Sequence, residues 1–194
     1  MPDKYSSFDE LAASESFDAY RTLYEFRGST FAIIAPHAGK IEPGTSEICR
    51  EIAGEELTFY LFEGLKKNSN SDLHITSTQF DEPNALAIAS SAHTVVTIHG
   101  QRGDDLFINV GGLDEEIGDR IIDLLNAADY VAVRKTNPDL QGKNKDNICN
   151  RGRSGVGVQL EISRGLRGQL CNDRERLAAF SEIIRKALPF ARVE

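Results

Sequence analysis

Short β-branched runs recurring between stretches of helical periodicity constrain this chain more than any other feature. "STFAIIA" (29–35), "DLHITST" (72–78), "HTVVTIH" (93–99), "DLFINV" (105–110), "DYVAVR" (129–134) and "GVGVQLEIS" (155–163) read as strands. Residues 45–65, 83–91, 113–128 and 173–188 read as helices. The third places Ile117, Ile121, Leu124 and Ala128 on one face. The last does so with Leu177, Phe180, Ile184 and Leu188, capped by Asn172 or Asp173 and stopped by Pro189. Strands separated by helices predict an α/β domain with a mostly parallel or mixed central sheet flanked by helices. Its binding crevice is expected beyond the carboxyl ends of the strands. With 194 residues and 40% hydrophobic content, one domain over 1–194 is expected, its first 28 residues a poorly defined, helix-containing lead-in.

The strand ends are therefore the place to look for chemistry. His37 follows the strand 29–35, Glu42 lies on the turn "PHAGKIEPG", His99 ends the strand 93–99, and Glu161 lies near the end of 155–163. Catalytic zinc commonly takes two histidines and one glutamate and keeps a position open for water. His37, Glu42 and His99 supply that set, and the glycines and prolines of the turn let Glu42 fold back towards His37. A plain surface turn is the competing reading of His37 and Glu42 alone. His74, inside a strand pattern, reads as a core or supporting histidine, and His93 begins its strand at the end away from the crevice, so neither joins the metal set. Glu161 shares a face with Gln159 and Ser163 by alternation. It is either a structural partner for an arginine or, beside zinc, the general base that takes a proton from the metal-activated water.

Charge narrows the partners. A net charge of −8 argues against general nucleic-acid binding. Residues 134–167 nevertheless hold eight Lys or Arg against three carboxylates, a local +5 that leaves −13 elsewhere. Such an island suits a focused site for an anionic ligand. Cys49, Cys149 and Cys171 are odd in number and widely spaced, as expected of free thiols. No apolar run approaches the ~20 residues of a membrane span, and "MPDKYSSFDE" lacks a signal-peptide pattern. The expectation is synthesis in the cytoplasm and no membrane partner.

Four stretches in order, "IIAPHAGKIEPGTSEI", "LHITSTQFDEP", "TIHGQRG" and "NICNRGRSGVGVQLEISRGLR", resemble the bacteriophage and Bacillus poly-γ-glutamate hydrolases, from about residue 29 onwards. The resemblance implies a zinc-carboxypeptidase-like fold, one zinc ion, and internal cleavage of the γ-amide bonds of poly-γ-glutamate, the capsule polymer of bacilli. Carried onto this chain, it makes His37, Glu42 and His99 the zinc ligands and Glu161 the catalytic glutamate. Arg151 joins Glu161 as a catalytic residue, and Arg134, Arg153, Arg164 and Arg167 are expected to meet substrate carboxylates, because a guanidinium fork suits carboxylates and oxyanions. Which arginine does which stays open. The sequence departs from the family pattern at Ala38, where glycine is commoner, and at Gln79, where a histidine is expected. A monomer is expected, acting on the anionic polymer and, for a phage product, released by phage lysis. The rival readings are a cell-wall zinc amidase cutting between muramic acid and alanine, and a non-catalytic binding module.

Overall fold

A computed structural model describes residues 3–137 and 141–189. Among them, Tyr20–Glu25 (β1), Phe31–Gly39 (β2), Thr58–Gly64 (β3), Thr94–Gln101 (β4), Ile108–Gly112 (β5), Ala132–Arg134 (β6) and Val158–Ser163 (β7) form one sheet, ordered β1-β3-β2-β4-β7-β5-β6. β3, β2, β4 and β7 are mutually parallel, β1 is antiparallel to β3, and β5 is antiparallel to β7 but parallel to β6. The sheet is thus mixed, with a parallel centre. The helices are Phe8–Ser14 (α1), Thr45–Ala53 (α2), Pro83–Ser91 (α3), Glu115–Ala127 (α4), Arg164–Asn172 (α5) and Arg174–Ala187 (α6).

Alternation along the strands builds two cores. On one face Ile33, Val96, Ile98, Leu160 and Ile162 pack against Ile48 and Ile52 of α2, Ile121 and Leu125 of α4, Leu170 of α5, and Phe180 and Ile184 of α6. On the other, Ile34, Tyr60, Phe62 and Val95 meet Leu11 of α1, Ala85 and Ile88 of α3, and the inward residues Leu73, Ile75 and Phe80 of the connecting segment. Each fully buried Leu, Ile or Phe contributes about 1.5–3 kcal/mol, so both layers anchor the sheet. No described helix is long and apolar enough to cross a membrane.

Several elements depart from the sequence expectation for local reasons. The helix expected over 45–65 ends at Ala53, where Gly54 takes φ +53, and the aromatic run that follows is β3, buried along its whole length. The lead-in is ordered: it contributes α1 and the edge strand β1, which lies along β3. The strand expected over 72–78 does not form. Asn70–Leu73 is a 3-10 turn, and the following residues bury Ile75 without joining the sheet. α5 lies in a stretch that Gly165 and Gly168 make a poor helix former; Ser163 starts it by accepting the Leu166 N–H.

The feature of β2 that matters for chemistry is a bulge. Its pairing with β3 steps from Ala35↔Leu61 to Ala38↔Glu63, three residues against two, around Pro36 and His37. Ile33, Ala35 and Ala38 all face the α2 layer, so the extra residue turns His37 to the opposite face. That is the face on which His99 and Glu161 stand, paired to each other across β4 and β7.

Candidate metal centre

The bulge and a tight turn bring the expected donors together. Leaving β2, the chain reverses through Gly39, which has φ +64 and no room for a side chain against Gly64 and Glu63. The Glu42 N–H then bonds back to the His37 carbonyl at 3.0 Å. Glu42 Oε2 accepts the Gly100 N–H at 2.6 Å, and a side chain at Gly100 would strike both Glu42 and the Arg167 guanidinium. The other oxygen, Oε1, is 3.6 Å from His37 Nδ1, and His37 Nδ1 is 3.2 Å from His99 Nδ1. One donor atom from each of His37, Glu42 and His99 lies within 4.8 Å of the others. Two donors ~2.0–2.1 Å from a tetrahedral zinc stand about 3.3 Å apart, so these spacings suit one ion. Both imidazoles are buried, and the His37 Nε2–H donates to the Ile75 carbonyl at 2.8 Å, which leaves Nδ1 facing the cluster.

Electrostatics separates the groups. Burial opposes ionisation of Glu42, but His37, then His99 and the Gly100 N–H, together outweigh it and hold the carboxyl at about 2. Burial lowers the pKa of His37, and the Glu42 carboxylate, with the Ile75 carbonyl and Glu161, more than reverses this, so the net shift is upward. Burial and then the charge on His37 push His99 down to about 3. His37 Nδ1 and His99 Nδ1 thus converge with the Glu42 carboxylate, an anion beside two imidazoles. Two imidazole nitrogens and a carboxylate are donors that suit a cation such as zinc. Glu161 differs: burial, and next the charge on Glu42, push its carboxyl up to about 7. It is oriented by Gln159 Nε2, which donates to Glu161 Oε1 at 3.1 Å, while Gln159 Oε1 accepts from Asn147 at 2.9 Å.

These four residues line one cavity of about 190 Å³ with His74, Thr76, Ser77, Lys143, Asn147 and Gln159. Past Glu42, His74 and Thr76 lies a second recess of about 470 Å³, bordered by Lys4, Arg102, Arg164 and Arg167. The basic island divides accordingly. Its 142–147 segment walls the first cavity. Arg167, 6% exposed, gives Nε to the Pro43 carbonyl and Nη1 to the Ile162 carbonyl, pinning the Glu42 turn to the end of β7. Arg164 is exposed and paired with Asp104. Arg134 turns to Asp119 and the Glu115 carbonyl, Arg151 gives Nε to the Asp146 carbonyl, and the Arg153 backbone bonds to Ala92; none of the three borders either cavity. Sequence reasoning did not single out Lys143, Asn147, Gln159 as the Glu161 partner, or His74 as a cavity wall. Alternation already put Gln159 on the face of Glu161, and that was the available signal.

The family described as poly-gamma-glutamate hydrolase matches residues 5–182. The chain belongs to that family. It is 42% identical over 171 residues to the SPbeta prophage-derived UPF0714 protein YoqZ of Bacillus subtilis (strain 168), a match covering 88% of this chain and 62% of that protein. The chain thus spans less than two thirds of the length of YoqZ. Among solved structures, a bacteriophage poly-gamma-glutamate hydrolase superposes with a TM-score of 0.90 at 34% identity, covering 96% of both chains. The zinc-free form of YndL does so with a TM-score of 0.92 at 35% identity, covering 99% of this chain and all of that one.

Proposed function

We propose that this chain is a zinc-dependent hydrolase that cuts γ-glutamyl amide bonds within poly-γ-glutamate. The observation that carries the reading is the meeting of His37, Glu42 and His99 with Glu161 in one cavity, in a chain of the poly-γ-glutamate hydrolase family. His37 Nδ1, Glu42 Oε1 and His99 would hold the ion, and a relative found in a zinc-free form supports zinc as its identity. When bound, zinc supplies a Lewis acid that polarises the scissile carbonyl and acidifies water. Glu161 accepts the proton of the attacking water and passes it to the leaving amine, a task suited to a carboxyl raised to about 7. Gln159 fixes the orientation of Glu161.

A γ-linkage leaves an α-carboxylate beside every scissile bond, so cations are needed close to the cut. Lys143 on one side and Arg102, Arg164 and Arg167 on the other border the two recesses, and an extended polyanion spanning both would be cut internally. Of the arginines expected from sequence, Arg164 and Arg167 border the second recess, which supports contact with the polymer there; the positions of Arg134, Arg151 and Arg153 lend no support to contact with the reacting amide.

The test is metal analysis of the purified protein together with gel assay of poly-γ-glutamate before and after chelation. One zinc per chain and polymer shrinkage abolished by chelator are expected. Zinc with cell-wall cleavage and intact polymer would move the assignment to an amidase, and absence of both metal and cleavage would overturn it.

A further inference from the structure

The segment after Leu73 reads as a strand but has no sheet partner; beside the buried Ile75 and the Ile148 N–H on the Ser77 carbonyl, it is anchored by a side chain near the start of the described residues. Asp3 reaches it with both carboxylate oxygens: Oδ1 meets His74 Nδ1 at 2.7 Å, and Oδ2 accepts the Thr76 N–H at 2.5 Å. Both contacts lead to His37. The Thr76 N–H and the Ile75 carbonyl belong to a single peptide unit, and that carbonyl takes the His37 Nε2–H at 2.8 Å. The His74 ring lies over the His37 ring, centroids 3.9 Å apart and planes at 31°. A carboxylate on the amide side of a peptide strengthens the carbonyl on the other side as an acceptor, because hydrogen bonds in a chain polarise one another. A carbonyl oxygen can only accept, so a firm bond to Ile75 keeps the Nε2 proton in place and the His37 Nδ1 turned to Glu42 and His99.

We propose that Asp3 is a positioning residue for the metal site, acting on His37 through the Ile75–Thr76 peptide and through the stacked His74 ring; the metal part of this inference rests on the zinc reading above. Asp3 is itself held in place by its neighbours. Lys4 and Tyr5 both bond to Glu15, Lys66 joins the same carboxylate, and the Tyr5 ring is buried in the core beneath. The N-terminal residues therefore serve as a clasp on one wall of the cavity, in a region where the sequence shows no motif.

Two readouts on the full chain test this. In the metal-free protein, proton–nitrogen correlation spectra of the histidine rings follow the His37 Nε2 proton, and competition with a chromophoric chelator gives the zinc Kd. Asp3→Ala is expected to speed exchange of that proton with solvent at least tenfold and to weaken zinc about tenfold, the low end of what loss of an outer partner of a ligand costs. Glu15→Ala, which loosens the same segment but keeps the Asp3 carboxylate, is the control and is expected to have a clearly smaller effect on both. Unchanged proton exchange in Asp3→Ala would overturn the proposal. So would an equal effect of Glu15→Ala, which would make docking of the segment, and not the Asp3 carboxylate, the cause. If the parent chain binds no zinc, the metal reading fails while proton exchange still decides the role of Asp3.

Discussion

Strands β2, β4 and β7 carry two faces of opposite character. Towards α2, α5 and α6 they present Ile33, Ile98, Leu160 and Ile162, apolar and fully buried. Towards the cavity the same strands present His37, His99, Gln159 and Glu161. Neighbours in sequence such as Leu160 and Glu161 thus serve opposite purposes. The apolar face fixes the strands rigidly enough that ionisable groups on the other can be held a few ångströms apart, at a cost in desolvation that only mutual pairing offsets.

The largest effect is expected from breaking the polar face alone. Glu161→Gln should lower kcat by roughly 10³-fold, within the range for loss of a general base, with zinc content unchanged; a loss smaller than tenfold in single-turnover assays would remove Glu161 from that role. Leu160→Ala, one residue away on the other face, should cost about 2–5 kcal/mol of unfolding free energy by denaturant titration while sparing zinc content and turnover of the folded fraction. Loss of zinc without loss of stability in that variant would mean the two faces do not divide the work in this way.

A third prediction uses pH on metal-free protein. Glu161 has a folded pKa raised to about 7 from the usual 4.5, so the folded state binds the extra proton between those values. Its contribution to stability is full below 4.5 and is lost as pH rises through 7. Glu42, lowered to about 2, contributes above 4.5 and loses that contribution as pH falls towards 2. The Tm of Glu161→Gln should therefore gain on the parent between pH 5 and 8, and a constant difference across that window would contradict the raised carboxyl. Gln159→Ala should lower kcat by about threefold to tenfold, the worth of one hydrogen bond to Glu161. The smallest effect is expected at the rim. Arg164→Ala breaks an exposed pair with Asp104 and should change stability by less than ~1 kcal/mol, so a rise in KM for the polymer would report substrate contact and not folding.

Much of this was legible locally. α3 spans the predicted 83–91 because Glu82 caps it through the Ala85 N–H and Pro83 stands at its first turn. That His37, Glu42 and His99 could meet was legible because glycine, proline, histidine and glutamate cluster at strand ends, where a parallel sheet opens. β3 was hidden because the amphipathic pattern of α2 continues into an apolar run that fits helix and strand alike. The arginines were read by proximity in sequence to Glu161, whereas the loop before β7 carries Arg151 and Arg153 away from the cavity and brings Lys143 to it.

What the sequence determined by itself was the alternation of strands and helices, the candidate donors at the strand ends and the local basic island, because periodicity, turn chemistry and charge are properties of neighbouring residues. What only the tertiary structure decided was their meeting. His37 and His99 are 62 positions apart and touch because β2 and β4 lie side by side. The bulge at Pro36–His37 then sets which face His37 takes. The two glutamates end with opposite pKa shifts because burial of Glu42 is outweighed by its charged and hydrogen-bonding neighbours, whereas burial of Glu161 is reinforced by Glu42, far from it in the chain.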